Sequence, residues 1–167
     1  LSKEETVQFQ NRFPLFREKF HTAKNIVIPL ELQDLSEDNH EILFGGRFVP
    51  KKNIPSLITA FSFIAKCFSN ARLIMAGSGP LEKELRKRAA EYNLSEQVIW
   101  EGWVDRTRLR YLTQRCRVVV FTSTDSEGMP MMLLEALNSS SIIVTTSVRW
   151  TRSYPIQDLG VIEVDGY

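Results

Sequence analysis

Cysteine and histidine are scarce in this chain. Its 167 residues include two of each: Cys67 and Cys116, His21 and His40. No Cys-x-x-Cys spacing and no Cys/His cluster occurs, which argues against a structural zinc site and against a disulfide framework. Both cysteines stand in apolar, helix-like surroundings and read as buried thiols in a reducing compartment. An excess of one charge is also missing. Lys and Arg number 21 and Asp and Glu 20, for a net charge of +1. Global charge therefore points to neither nucleic acid nor a membrane surface, and no nucleic-acid partner is expected. No apolar run approaches the ~18 residues of a membrane span. No signal peptide, internal repeat or low-complexity segment is visible. The chain opens on Leu1 without an initiator Met and stops abruptly after Asp165-Gly166-Tyr167. It reads as an excised piece of a longer protein, with parts of any active site elsewhere.

What is present is the composition of a globular domain: 43% apolar and 25% charged residues. The length suits one domain with its own core. Residues 1–40 differ from the rest and read as a linker or a remnant of a preceding domain. Phe9, Phe13, Phe16 and Phe20 recur three or four apart with Arg12, Arg17 and Lys19 between them. This is an amphipathic helical pattern, broken near Pro14. It suits a helix packed on a neighbouring core, with a membrane-surface helix as the alternative. Residues 25–29 read as a short strand and 31–40 as an acidic loop.

From Glu41 to Tyr167 short apolar runs alternate with helical patterns. Strands are expected at 42–44, 72–76, 98–100, 118–121, 142–144 and 161–164. Helices are expected over 54–67, 81–92, 106–115 and 130–138, with Asp105 capping the third. Residues Ile54, Leu57, Ile58, Phe61, Ile64 and Ala65 mark the inner face of the first helix. Continuous apolar strands separated by helices imply a parallel sheet covered on both faces. The expected fold class is α/β, a doubly wound, Rossmann-like parallel sheet. Ligands in such sheets sit beyond the carboxyl ends of the strands.

Each strand end carries a candidate. After the first comes Gly45-Gly46-Arg47-Phe48-Val49-Pro50-Lys51-Lys52, where Arg47 and Lys52 could converge on one diphosphate, unless they are ordinary solvated loop cations. After the second comes Gly77-Ser78-Gly79-Pro80. It reads either as a tight turn with Pro80 starting the helix or as a place where a nucleotide approaches the backbone. After the third, Glu101-Gly102-Trp103-Val104 could flank a base, or Trp103 could simply be packed. After the fourth, Ser126-Glu127-Gly128-Met129-Pro130 leads into a helix whose first amides, those of Met131 and Met132, favour an anion. Glu135 lies five residues into that helix, about 7.5 Å along its axis. Apolar neighbours suggest that it is half-buried, and such a carboxylate needs partners. Ribose hydroxyls would serve, and so would an Arg or Lys.

The order of these segments carries more than any one of them. Gly46-Arg47-x-x-Pro50-x-Lys52, Gly77-Ser78-Gly79-Pro80, residues 98–104 and Glu127-(seven residues)-Glu135-Ala136 together resemble the C-terminal, nucleotide-sugar-binding domain of a GT-B-fold glycosyltransferase of family 4. The resemblance covers roughly residues 42–146. It implies sugar transfer from a nucleoside diphosphate with retention of configuration, usually without a bound metal. Arg47 and Lys52 would hold the diphosphate and stabilise the leaving group. Glu127 would contact the donor sugar, and Glu135 the ribose hydroxyls. Gly46, Gly128 and the backbone of Met129, Met131 and Met132 would face sugar and phosphates. Trp100, Gly102, Trp103 and Val104 would line the base pocket, with Gly77 and Gly79 alongside.

Three departures stand out. The family often has Gly at the place of Pro130. Residues 138–141 and 147–150 replace a Cys-Gly-x-Pro turn and a later paired-Gly loop. The family's acceptor domain would be missing apart from residues 1–30, so this piece is expected to bind donor but hardly to transfer. The acceptor would be a glycan or a lipid-linked glycan of polysaccharide biosynthesis. The expected location is cytoplasmic, with peripheral membrane contact as an open alternative. A sugar-nucleotide epimerase or hydrolase of the same architecture, or a non-catalytic α/β interaction module, are the competing readings.

Overall fold

The computed structural model describes residues 3–19, 39–124, 130–148, 151 and 161–164. The strand expected at 25–29 and most of the acidic loop, 31–38, lie outside the described residues.

Six strands form one parallel sheet: β1 (Glu41–Gly45), β2 (Arg72–Ala76), β3 (Val98–Gly102), β4 (Val118–Phe121), β5 (Ile142–Thr146) and β6 (Val161–Val164), in the order β3-β2-β1-β4-β5-β6. The helices are α1 (Lys3–Arg12), α2 (Ile54–Cys67), α3 (Glu82–Glu91), α4 (Arg106–Arg115) and α5 (Met131–Ala136), with 3₁₀ turns at Pro14–Lys19 and Pro50–Lys52. The expected α/β doubly wound class is the observed one.

The alternation of side chains along the strands explains the two-faced core. Leu43, Ile74, Val119, Phe121 and Ile143 meet Leu112 of α4 and Met132, Leu133 and Ala136 of α5. Their neighbours Phe44, Leu73, Met75 and Val120 point the other way, onto Ile54, Ile58 and Phe61 of α2 and Leu85 of α3. A strand buried on both faces must be apolar throughout, which is why β2 and β4 have no polar alternation. The outer strands expose more: Ile99 in β3 and Ile162 in β6 are open to solvent.

Local signals fix the boundaries. Asp105 accepts a hydrogen bond from the Arg108 amide at 2.7 Å and starts α4. Asn53, in the left-handed region at φ 46°, ends the 3₁₀ turn and starts α2. Four expectations need correction. The third helix of the chain begins at Glu82 with Leu81 as its cap, so Pro80 belongs to the turn before it. The last helix is shorter than 130–138, and extended Pro130 caps it from outside. β3 runs through Gly102, so Glu101 and Gly102 are strand residues. Ile64 and Cys67 lie on the outer side of α2, so only Cys116 is the buried thiol that was expected. In the N-terminal segment α1 ends just before Pro14, and Phe9 and Phe13 stack at 6.3 Å while remaining partly exposed.

The cysteines yield a direct check. Burial pushes the Cys116 thiol up to about 12, whereas Cys67 is exposed. The thiolate is the reacting species, so a raised value suppresses labelling. At about pH 8 an alkylating reagent should modify one cysteine in the folded protein, at position 67, and both after denaturation. Mass spectrometry of the labelled peptides reads the outcome.

Candidate functional site

Strand order creates the site. β1 pairs with β2 on one side and with β4 on the other. The chain winds outward in both directions from this pair, so the loops after β1 and β4 part and leave a crevice. A cleft of about 850 Å³ lies there. Gly46, Arg47 and Lys52 line it on one side and Pro130, Met131 and Met132 on the other. Five of these six were expected at the site from sequence; Pro130 was expected there only as a missing donor.

The first wall is anchored by Phe48, which is fully buried between Phe44 and Trp100 at ring distances of 6.3 and 6.0 Å. Its flanks, Arg47 and Val49, are thereby held at the surface. The Pro50–Lys52 turn is tied across the crevice. Thr122 Oγ1 donates to the Lys52 carbonyl at 2.7 Å, and the Thr124 amide donates to the Lys51 carbonyl at 2.8 Å. Lys52 is 9% exposed. Its Nζ would lie 3.9 Å from a Cβ placed on Gly46, so the ammonium stands over that glycine. Arg47 is exposed at the rim. Two cations of different exposure thus line one wall.

The second wall is the start of α5. Met132 packs so closely on Gly45 that a Cβ there would lie 2.9 Å from its Cε and 3.0 Å from Leu109. Met131 is left half exposed toward the cleft. The first amides of a helix have no carbonyl within it to bond. Those of Met131 and Met132 are such donors, and Pro130, lacking one, stands outside the helix and costs it nothing.

The glycines after β2 have a local reason of their own. Gly77, at φ +151°, donates to the Gly102 carbonyl at 2.7 Å, and a Cβ on it would collide with the Gly46 carbonyl. A Cβ on Gly79 would lie 2.7 Å from the Phe48 nitrogen. The Phe48 amide in turn donates to the Ser78 carbonyl at 2.9 Å. The three strand-end loops interlock through these glycines. Beyond them, Trp100 has Arg86 stacked over its ring at 4.6 Å, Trp103 is largely exposed, and Val104 packs beside α4 and α5. Space over Gly102 is open, since a Cβ there meets nothing within 4 Å.

Glu135 is 3% exposed, more deeply buried than expected. Arg106, the first residue of α4, donates from Nε to its Oε1 at 2.9 Å. Sequence had allowed an Arg or Lys partner without identifying it. The only local signal was position: Arg106 follows the Asp105 cap, at the strand-end side of its helix. Glu127, Gly128 and Met129 lie outside the described residues. Among the described residues no three His, Cys, Asp or Glu side chains gather as a metal group, and no helix is long and apolar enough to cross a membrane.

A family model described as glycosyl transferases group 1 matches residues 31–159. The glycosyltransferase YqgM of Bacillus subtilis, uncharacterized, is 29% identical over 128 residues, covering 76% of this chain and 35% of that protein. The C-terminal domain of LpcC, a glycosyl transferase group 1 family protein of Francisella tularensis, superposes with a TM-score of 0.65 at 21% identity, over 79% of this chain and 70% of that one. HepE of Anabaena, solved in complex with UDP-glucose, superposes with a TM-score of 0.67 at 16% identity, over 99% of this chain and 40% of that one. The chain spans 35%, 29% and 40% of the length of the first curated relatives it matches.

Proposed function

The chain belongs to the glycosyl transferases group 1 family, and from that membership we propose that it forms the donor-binding half of a retaining glycosyltransferase of family 4. The observation that carries this reading is the cleft at the β1/β4 switch point, with Lys52 and Arg47 on one wall and the free amides of α5 on the other. A diphosphate is the ligand such a cleft suits, since it can take a point charge, a planar guanidinium and backbone donors at once. The UDP-glucose bound by the distant neighbour HepE agrees with this choice of ligand class.

The roles follow from position. Lys52, already seated over Gly46, neutralises the diphosphate as the sugar bond breaks, and Arg47 closes over it from the rim. These two cations do the work that a divalent metal does elsewhere, so no metal is required. The family resemblance gives Glu127 to the donor sugar, and Gly128 and Met129 to sugar and phosphates. The ribose lies along α5 toward Glu135, and the base lies over open Gly102 between Trp103 and Val104, with Gly77 and Gly79 behind. The acceptor, a glycan or lipid-linked glycan of polysaccharide biosynthesis, is held by a part of the protein beyond this chain. The enzyme works in the cytoplasm, with peripheral membrane contact as the alternative. Alone, the chain binds donor without transferring it.

A thermal-denaturation screen against UDP-, GDP- and ADP-sugars tests this reading. One base class should raise the melting temperature, because a ligand at 100 times its Kd adds about 2.7 kcal/mol to apparent stability. No shift with any of them would contradict it.

A further inference from the structure

Glu135 poses a question that the pairing with Arg106 only half answers. It is 3% exposed, yet one donor alone reaches it among the described residues, Arg106 Nε at 2.9 Å from Oε1. Buried carboxylates ordinarily collect several donors. Its second oxygen, Oε2, takes no hydrogen bond from the described residues. The Arg106 side chain is 59% exposed. Exposed guanidinium groups contribute little as structural ion pairs, and an apolar residue would fill the place of Glu135 at lower cost. Stability therefore does not explain why this pair is here.

Its position does. Met131, which lines the cleft, stands one helical turn before Glu135 on the same side of α5. Arg106 comes from the other side, from the end of β3, where the open space over Gly102 lies. The pair therefore bridges the two halves of the proposed nucleotide path, between the diphosphate wall and the base side.

We propose that Arg106 is a positioning residue for the nucleotide's ribose, holding Glu135 by one oxygen so that the other accepts from the ribose hydroxyls. This rests on the donor-binding reading given above. A bond through Nε restrains the carboxylate by one oxygen and leaves Oε2 without a donor among the described residues. The guanidinium also offsets the carboxylate charge, which would otherwise repel the diphosphate one turn away. Arg106 itself need not touch the nucleotide.

The test uses the full-length protein in four forms: wild type, Arg106→Met, Arg106→Lys and Glu135→Gln. Calorimetry measures binding of UDP, GDP and ADP, of their 2′,3′-dideoxy counterparts, and of inorganic pyrophosphate. Wild type should prefer the ribonucleotide by roughly tenfold or more. Arg106→Met should bring that preference to within about twofold and leave pyrophosphate binding unchanged, which also shows that the variant is folded. Arg106→Lys, which keeps the charge, should retain part of the preference. If Arg106→Met fails to fold, Arg106→Gln is read by the same criterion. An unchanged preference in the Arg106 variants, with loss in Glu135→Gln, overturns the role of Arg106 and leaves the ribose reading standing. Pyrophosphate affinity falling in step with nucleotide affinity overturns it as well. A wild-type protein that binds no nucleotide, or does not discriminate, overturns both.

Discussion

Gly77→Ala is expected to destabilise the domain by about 3–4 kcal/mol, lowering its melting temperature by roughly 6–16 °C. Two costs add at this position. Gly77 has φ +151°, outside the regions an L side chain readily enters, and the new Cβ would run into the Gly46 carbonyl. Neither side can yield easily. Gly46 is itself at φ +149°, hydrogen-bonded to the Ala76 carbonyl at 2.9 Å, and covered by Lys52. Gly102→Ala is the control. It also has a positive φ, +70°, but nothing stands within 4 Å of its Cβ. Only the backbone term of about 1–2 kcal/mol should appear there. Equal losses in the two variants, measured by thermal or urea denaturation, would show that the loops do not interlock as described. Because the displaced atom belongs to Gly46, Gly77→Ala should also disturb the cleft 77 never lines.

Lys52→Met is expected to weaken binding of the nucleoside diphosphate by about 2 kcal/mol, roughly thirtyfold. Methionine keeps an apolar stem over Gly46 and removes the charged head. The size follows from burial. A lysine that is 9% exposed and held by a turn tied to Thr122 and Thr124 loses little freedom when it engages a phosphate. Arg47→Ala should cost less, since exposed Arg47 must be ordered on binding and its field is screened by salt. Raising the salt concentration should therefore shrink the effect of Arg47→Ala more than that of Lys52→Met. The reverse order, read by calorimetry, would exchange the two roles.

The parts legible in the sequence were those written in local chemistry. Helix Arg106–Arg115 was readable from the Asp105 cap, and Ile54–Cys67 from apolar spacing. The six strands were readable because buried parallel strands are apolar without alternation. That the 46–52 loop and the start of α5 face one cleft came from the family resemblance, which set both against one diphosphate. What was not legible depended on distant atoms. Arg106 is 29 residues from Glu135, and no periodicity links them. Cys67 sits on an apolar stripe with Ile64, but the sheet lies on the side of Leu57, Ile58 and Phe61, so the stripe fades outward as the helix turns. Gly77 and Gly79 look alike in sequence whether they admit a phosphate or another backbone. Here the Gly46 and Phe48 backbones occupy that space.

The central claim is that a nucleoside diphosphate lies in the β1/β4 cleft, and its direct test is a crystal structure of the protein with the sugar nucleotide that gives the largest thermal shift. Density for the diphosphate is expected between Lys52 Nζ and the amides of Met131 and Met132, with the ribose extending toward Glu135. Density for the nucleotide at any other surface, with this cleft holding only solvent at saturating ligand, would contradict it.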